Sequence, residues 1–166
     1  PLNYALVQAP NGILYIANEE GVLEFDGANW RLIQLPNKGK ALSMDIDAKG
    51  TIFIGGESEM GYLHPDETGR MQYQSLLPEI LHSQTDFGRV EAVAATSKGI
   101  FFSTTPRLFR WTEQRMTTWE WGEDHLGFFL GFEVADEFYA ERMGQGLMTV
   151  RGDSLWYLGL DQVFQQ

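Results

Sequence analysis

Short runs rich in aromatic and β-branched residues alternate along nearly the whole chain with pairs of turn-forming residues, and the runs fall into groups of four. Ile13-Leu14-Tyr15-Ile16 follows Asn11-Gly12, and Thr51-Ile52-Phe53-Ile54 follows Lys49-Gly50. Ile100-Phe101-Phe102-Ser103 follows Lys98-Gly99, and Phe138-Tyr139-Ala140-Glu141 follows Asp136-Glu137. Apolar runs of this length bounded by Gly, Asn and Asp are read as strands. Counted at Gly12, Gly50, Gly99 and Glu137, the repeat separations are 38, 49 and 38 residues. A unit of about 40 to 50 residues made of four short strands is the unit of a propeller. The pattern therefore predicts an all-β chain: a β-propeller segment of about four four-stranded antiparallel blades.

Turn signals divide each unit into strands A to D. The first unit is predicted at Asn3 to Gln8, Ile13 to Ala17, Val22 to Asp26 and Trp30 to Leu35. Asn11-Gly12 and Asp26-Gly27 supply the positive φ that a tight hairpin needs. The second unit is predicted at Ala41 to Asp47, Thr51 to Gly55, Met60 to His64 and Met71 to Ser75. The third reads Arg89 to Ala95, Ile100 to Thr104, Arg107 to Trp111 and Met116 to Trp121. The fourth reads Phe128 to Ala135, Phe138 to Arg142, Gly146 to Val150 and Ser154 to Gly159. Blades are thus expected near 1–36, 37–76, 89–122 and 127–160, with 77–88 a connection holding one helical turn after Pro78.

Runs that are apolar on both faces, such as Ile13 to Ile16 and Phe101-Phe102, suit a sheet covered on both sides. The chain opens on a strand A and stops soon after a strand D, which reads as a processed or excised piece of a larger ring or as a self-associating half ring. Bare faces on the first and fourth blades would then pair with a second copy or with missing blades.

Composition narrows the partners. Lys and Arg number 12 against 23 Asp and Glu, a net charge of -11, which repels phosphate backbones and disfavours nucleic acid. Apolar runs stop well short of the roughly 18 residues of a spanning helix, so no direct membrane contact is expected from this segment. With no cysteine there is no thiolate nucleophile, disulfide or thiolate metal site, and no cofactor is predicted.

The run Asn11 to Asn18, then Gly21-Val22-Leu23-Glu24-Phe25-Asp26-Gly27 and Trp30, resembles the two-component regulator propeller repeat. Gly50 to Gly56, Gly61-Tyr62-Leu63, Ser75-Leu76-Leu77-Pro78 and Asp86-Phe87-Gly88 are similar to it. Units three and four match more loosely, with Arg107 and Glu137 where Gly is expected. The resemblance implies a non-catalytic ligand-sensing domain, usually periplasmic, placed before a membrane span and a histidine kinase or nucleotide cyclase output. A protein-binding scaffold is the alternative of a different class. A sugar-cleaving propeller enzyme is a third, and needs two carboxylates about 5 to 9 Å apart.

Propellers gather the loops between B and C, and those from D to the next A, at one end. That rim collects Asn18, Glu19, Lys40, Glu57, Glu59, Arg89, Arg107, Glu141, Arg142 and Gln145. Its basic side chains suit an anionic or polyhydroxylated small molecule or glycan, although mutual neutralisation with carboxylates is the commoner role. Glu57 and Glu59 are expected to be a solvated pair. Trp111, Trp119, Trp121 and Phe128 could stack on sugar rings, but the spacing of 119 and 121 favours packing between blades.

Other motifs carry little chemistry. His64, His82 and His125 lack the spacing of a metal pair. Asp45 to Gly50 resembles the opening of a calcium loop, yet Lys49 stands where an oxygen ligand is needed. Asp47 is instead expected to cap its own turn, with Asp45 satisfying a neighbouring blade. Arg151-Gly152-Asp153-Ser154 spells an adhesion tetrapeptide at a C–D turn, where turn geometry accounts for Gly-Asp.

Overall fold

The computed structural model describes residues 1–113, 115–120, 128–142 and 146–158. Trp121, His125 and Gln145 lie outside the described residues. Among the described residues, sixteen strands form four separate four-stranded antiparallel sheets, each built from consecutive strands. Blade one holds β1 (Asn3–Gln8), β2 (Leu14–Asn18), β3 (Gly21–Phe25) and β4 (Trp30–Ile33). Blade two holds β5 (Ala41–Ile46), β6 (Ile52–Gly56), β7 (Met60–Pro65) and β8 (Met71–Ser75). Blade three holds β9 (Val90–Thr96), β10 (Gly99–Thr104), β11 (Arg107–Thr112) and β12 (Arg115–Glu120). Blade four holds β13 (Phe128–Val134), β14 (Glu137–Arg142), β15 (Gly146–Arg151) and β16 (Ser154–Leu158). Strand ends differ from the expected ones by one or two residues, where hairpins fray into turns. The link after β8 carries two short 3₁₀ turns, Leu77–Glu79 and His82–Gln84, rather than one. Leu76 and Phe87 anchor it by burial.

Inner strands pack in succession, β1 on β5, β5 on β9 and β9 on β13, so the blades stand side by side like wedges. Each inner strand carries a bulge against its partner, skipping Tyr4, Leu42, Glu91 and Phe129. Those positions are again 38, 49 and 38 residues apart, so the bulge belongs to the repeat. A bulge adds local bend and twist, which fits an inner strand next to an axis.

The core consists of three apolar layers, one per seam. Between blades one and two lie Tyr15, Ala17, Val22, Ile33, Met44, Ile52, Ile54 and Leu63. Between two and three, Phe53, Met60, Val93, Phe102 and Phe109 meet Phe87 from the connection. Between three and four, Phe101 stacks on Phe138 at 4.2 Å and 8°, beside Ala94, Leu108, Met148 and Val150.

Polar side chains stitch the seams. Arg31 holds Glu24 through two bonds of 2.8 Å and donates to the Met71 carbonyl of the next blade at 3.0 Å. Ser43 Oγ donates to the Val90 carbonyl at 3.0 Å, and the Asp45 carboxylate accepts the Ala95 amide at 2.8 Å. Arg110, almost buried, donates to the Gly152 carbonyl and to Asp153 on blade four. Asp153 also takes Arg115 at 2.6 Å, and its carbonyl accepts Trp119 Nε1 at 3.0 Å. The carboxylate of the adhesion-like tetrapeptide is therefore occupied inside the chain. A buried guanidinium needs such partners to offset its desolvation.

Candidate functional site

Because strands run up and down in order, the A–B and C–D turns lie at one end of every blade and the B–C and D–A loops at the other. On the loop end, most of the predicted rim residues are held by one another or by neighbouring residues of the chain. Asn18 is buried; its Nδ2 donates to Asn3 Oδ1 at 2.7 Å and to the Leu2 carbonyl at 3.2 Å. Glu19 accepts the Leu2 amide at 3.2 Å and stands 4.0 Å from Lys40. Glu57 is held through its backbone, its amide donating to the Lys40 carbonyl at 3.2 Å and its carbonyl accepting Asn37 Nδ2 at 2.8 Å. Arg89 forms a bridge with Glu57 through the backbone, and its guanidinium lies 3.7 Å from Glu91. Arg107 is committed to the connection, donating to the Asp86 carbonyl at 2.7 Å and meeting Glu120 at 3.1 Å. Glu141 is exposed at the end of β14. Arg142 closes that strand, and its side chain lies outside the described residues.

Glu59 departs from the expected solvated pair. It is only 2% exposed, because Ser58 takes a φ of 53° and the chain turns Glu59 inward. Its Oε1 accepts Ser75 Oγ at 2.7 Å and the Met60 amide at 3.0 Å. Burial pushes the carboxyl above the ordinary carboxylate range, against the pull of those hydrogen bonds. Beside it the Tyr73 hydroxyl is pushed well up, first by burial and then by the Glu59 charge. This pair is sealed rather than open to a ligand.

The larger openings lie at the turn end, which sequence reasoning did not single out. A cleft of about 400 Å³ sits at the seam of blades two and three. Its floor includes Phe53 and Trp111, with ring centroids 5.7 Å apart. Its mouth gathers Lys49 from the second A–B turn, Lys98 from the third, Glu113 from the third C–D turn and Asp136 from the fourth A–B turn. Lys49 pairs with Glu113 at 2.5 Å and Lys98 with Glu137. The Lys49 ammonium is held above its ordinary pKa, and the Glu113 carboxyl below its own, chiefly by that hydrogen bond. Asp136 accepts the Ser97 amide at 2.7 Å as well as the Ser97 hydroxyl, which lowers its pKa. A second cleft, of about 710 Å³, lies between blades one and two at the same end and includes Tyr15, Glu24, Asn29, Trp30 and Arg31. Burial first and Glu24 next push the Tyr15 hydroxyl up to about 12, so it stays a neutral donor.

An aromatic floor under a mouth of two ammoniums and several carboxylates suits a polyhydroxylated ligand that offers both donors and acceptors. Among the described residues, no group of three or more His, Asp or Glu side chains is placed to hold a metal ion. Asp47 shows why the turns resemble cation loops without being one. Its Oδ1 accepts the amides of Lys49 at 2.9 Å and Thr51 at 2.8 Å, and Gly50 takes a φ of 85°.

Solved structures place this architecture among propellers. Virginiamycin B lyase from Staphylococcus aureus superposes with a TM-score of 0.70 at 11% identity, over 92% of this chain and 54% of that one. The extracellular domain of BT4673 from B. thetaiotaomicron, described as a one component or hybrid two component system, gives a TM-score of 0.64 at 13% identity over 96% of this chain and 22% of that one. The WD40 propeller of Doa1 gives 0.66 at 13% identity, over 92% and 52%. The fold is a β-propeller. The chain spans about half the length of virginiamycin B lyase. No protein-family model matches the sequence, and no curated protein sequence matches it either. The propellers it resembles in structure thus include a lyase, an extracellular domain of a two component system and a WD40 domain, at identities that establish fold alone.

Proposed function

We propose that this chain is a ligand-binding propeller segment of an extracytoplasmic sensor, and that it takes a glycan or other polyhydroxylated small molecule at the turn-end cleft between blades two and three. The single observation behind this reading is the construction of that cleft from turns of three different blades over an aromatic floor. A ligand there competes with the exposed Lys49–Glu113 pair, whose exposed ions hold each other only weakly. Binding therefore biases how neighbouring blades sit, by as much as the ligand prefers one arrangement over the other. The likeness to an extracellular two component domain adds a biological setting, periplasmic or extracellular, with an output beyond this segment. Among the described residues no helix is long and apolar enough to cross a membrane.

A second reading, an interaction scaffold, draws on the exposed apolar flanks of blades one and four. An enzyme reading requires free acid and base groups, whereas Asp47 and Asp136 both cap backbone amides at the cleft. The test is a thermal-shift screen with oligosaccharides and small organic anions. A ligand that raises the melting temperature of the wild type, loses its effect on a Lys49→Ala/Lys98→Ala variant and keeps it on Lys40→Ala/Arg89→Ala supports the cleft. A null screen, or loss of the effect only on the loop-end variant, overturns it.

A further inference from the structure

We infer, resting on the reading of the cleft between blades two and three as a glycan site, that the cleft between blades one and two is a second subsite of the same groove, and that the ligand is an acidic oligosaccharide with a carboxylate on Arg70. Both clefts open at the turn end, and the A–B turn of blade two is the wall between them. Asp47, Ala48 and Lys49 line the first cleft, and Lys49, Gly50 and Ile52 the second. The crest of that wall is low. Ala48 carries one methyl group and Gly50 no side chain, so only Lys49 rises from it, and its ammonium reaches away to Glu113 on blade three at 2.5 Å. Asp47 is folded back onto the Lys49 and Thr51 amides. A chain of sugars crossing at Ala48 and Gly50 therefore meets one exposed ammonium and no bulky side chain.

The second cleft supplies a guanidinium that the chain itself does not use. Arg31, Arg89, Arg107, Arg110 and Arg115 each meet a carboxylate, and Arg151 lies over the Trp156 ring at 4.9 Å. Arg70 lines the cleft and is exposed, and among the described residues its guanidinium makes no ion pair or hydrogen bond. Acids are not scarce, at 23 Asp and Glu against 12 Lys and Arg, yet those around it are engaged elsewhere. Asp66, in the same C–D turn, accepts the Thr68 amide at 2.8 Å, the Arg70 amide at 3.0 Å and Gln72 Nε2 at 3.2 Å. On blade one, Asp26 accepts the Ala28 and Asn29 amides at 2.8 and 2.7 Å, and Glu24 is held by Arg31. A free planar fork over a cleft suits a carboxylate, which it grips through two parallel bonds. Gly69 leaves the approach open, since a Cβ there would meet nothing within 4 Å.

The two clefts offer complementary chemistry. The first has the aromatic floor of Phe53 and Trp111 for a ring face, the second the unpaired guanidinium for an acid group, and Lys49 borders both. A monosaccharide reaches one of them, whereas an oligomer reaches both. Once the first unit is seated, the second contact is intramolecular, so affinity rises with chain length without any new contact in the first cleft.

Calorimetric titration of the 166-residue chain with galacturonate oligomers of one to four units, and with cello-oligosaccharides of the same lengths as the neutral series, tests this. Affinity for the acidic series is expected to rise by about tenfold from monomer to tetramer, with a smaller rise in the neutral series. Arg70→Ala removes the acidic rise, and Arg70→Lys, which keeps the charge and loses the fork, restores part of it. Circular dichroism should not change, because the Arg70 side chain is exposed and holds no other group. A rise that survives Arg70→Ala, an equal rise in the neutral series, or equal binding of a tetraglutamate peptide overturns the two-subsite groove, and leaves the first cleft standing where Lys49→Ala/Lys98→Ala still abolishes binding. No binding by any member of either series, or binding indifferent to Lys49→Ala/Lys98→Ala, overturns the reading of the first cleft and the groove with it.

Discussion

Ala135 and Asp136 hold left-handed backbone, with φ of 51° and 64°, in the two-residue turn between β13 and β14 of blade four. The other units use Gly at or beside this turn, so the missing Gly that made the fourth repeat hard to read is replaced by local strain. An L-residue in this region costs roughly 1 kcal/mol. Asp136 recovers part of that by accepting Ser97, while Ala135 has no such compensation. Ala135→Gly is expected to stabilise the fold by about 0.5 kcal/mol, the relief being offset in part by the freer unfolded chain. Denaturant unfolding checks it, and a destabilised variant would count against the strain. Glu59 gives the second residue-scale prediction. A carboxyl whose pKa rises on folding stabilises the fold below its unfolded value near 4.3, and that contribution is lost as pH rises through the folded value. Glu59→Gln keeps the Oε1 acceptor without the charge. Its stability advantage over wild type should grow from pH 4 to pH 8; an advantage that is flat or shrinks with pH contradicts the burial argument.

Strands and hairpins were legible because their signals are local: short apolar runs bounded by turn residues, Asn-Gly and Asp-Gly turns, and an Asp47 that caps its own loop as read. Asp45 reaching the Ala95 amide was also visible, since a polar residue on an inner strand must find a backbone partner. Seam geometry was less so. Gly55 looks like a strand terminus, yet a Cβ there would fall 2.3 Å from Val90 Cγ1 and 2.5 Å from Ser43 Oγ. Its missing side chain is what lets β9 approach β6. Gly55→Ala should therefore destabilise by about 2 kcal/mol through overpacking, seen as a lower denaturation midpoint with an unchanged slope. A neutral outcome would mean that the seam is loose. Arg110 was equally hidden: a strand arginine resembles a solvated one until its partner blade is in place.

At the scale of the molecule, four wedges make an arc whose charged groups serve mostly as ties between blades. That is why much of the loop rim, where charge gathers in the sequence, turns out to be engaged within the chain, as with Arg107 on the connection. The turn-end clefts could not be read from the chain, because residues as distant as Lys49 and Asp136 meet only once three blades have packed. The most direct measurement of the binding claim is amide chemical-shift mapping with the strongest hit from the oligosaccharide screen. Perturbations centred on Lys49, Lys98, Trp111 and Glu113 are predicted. Perturbations centred instead on Lys40, Glu57 and Arg89 would place the ligand at the opposite rim and contradict it.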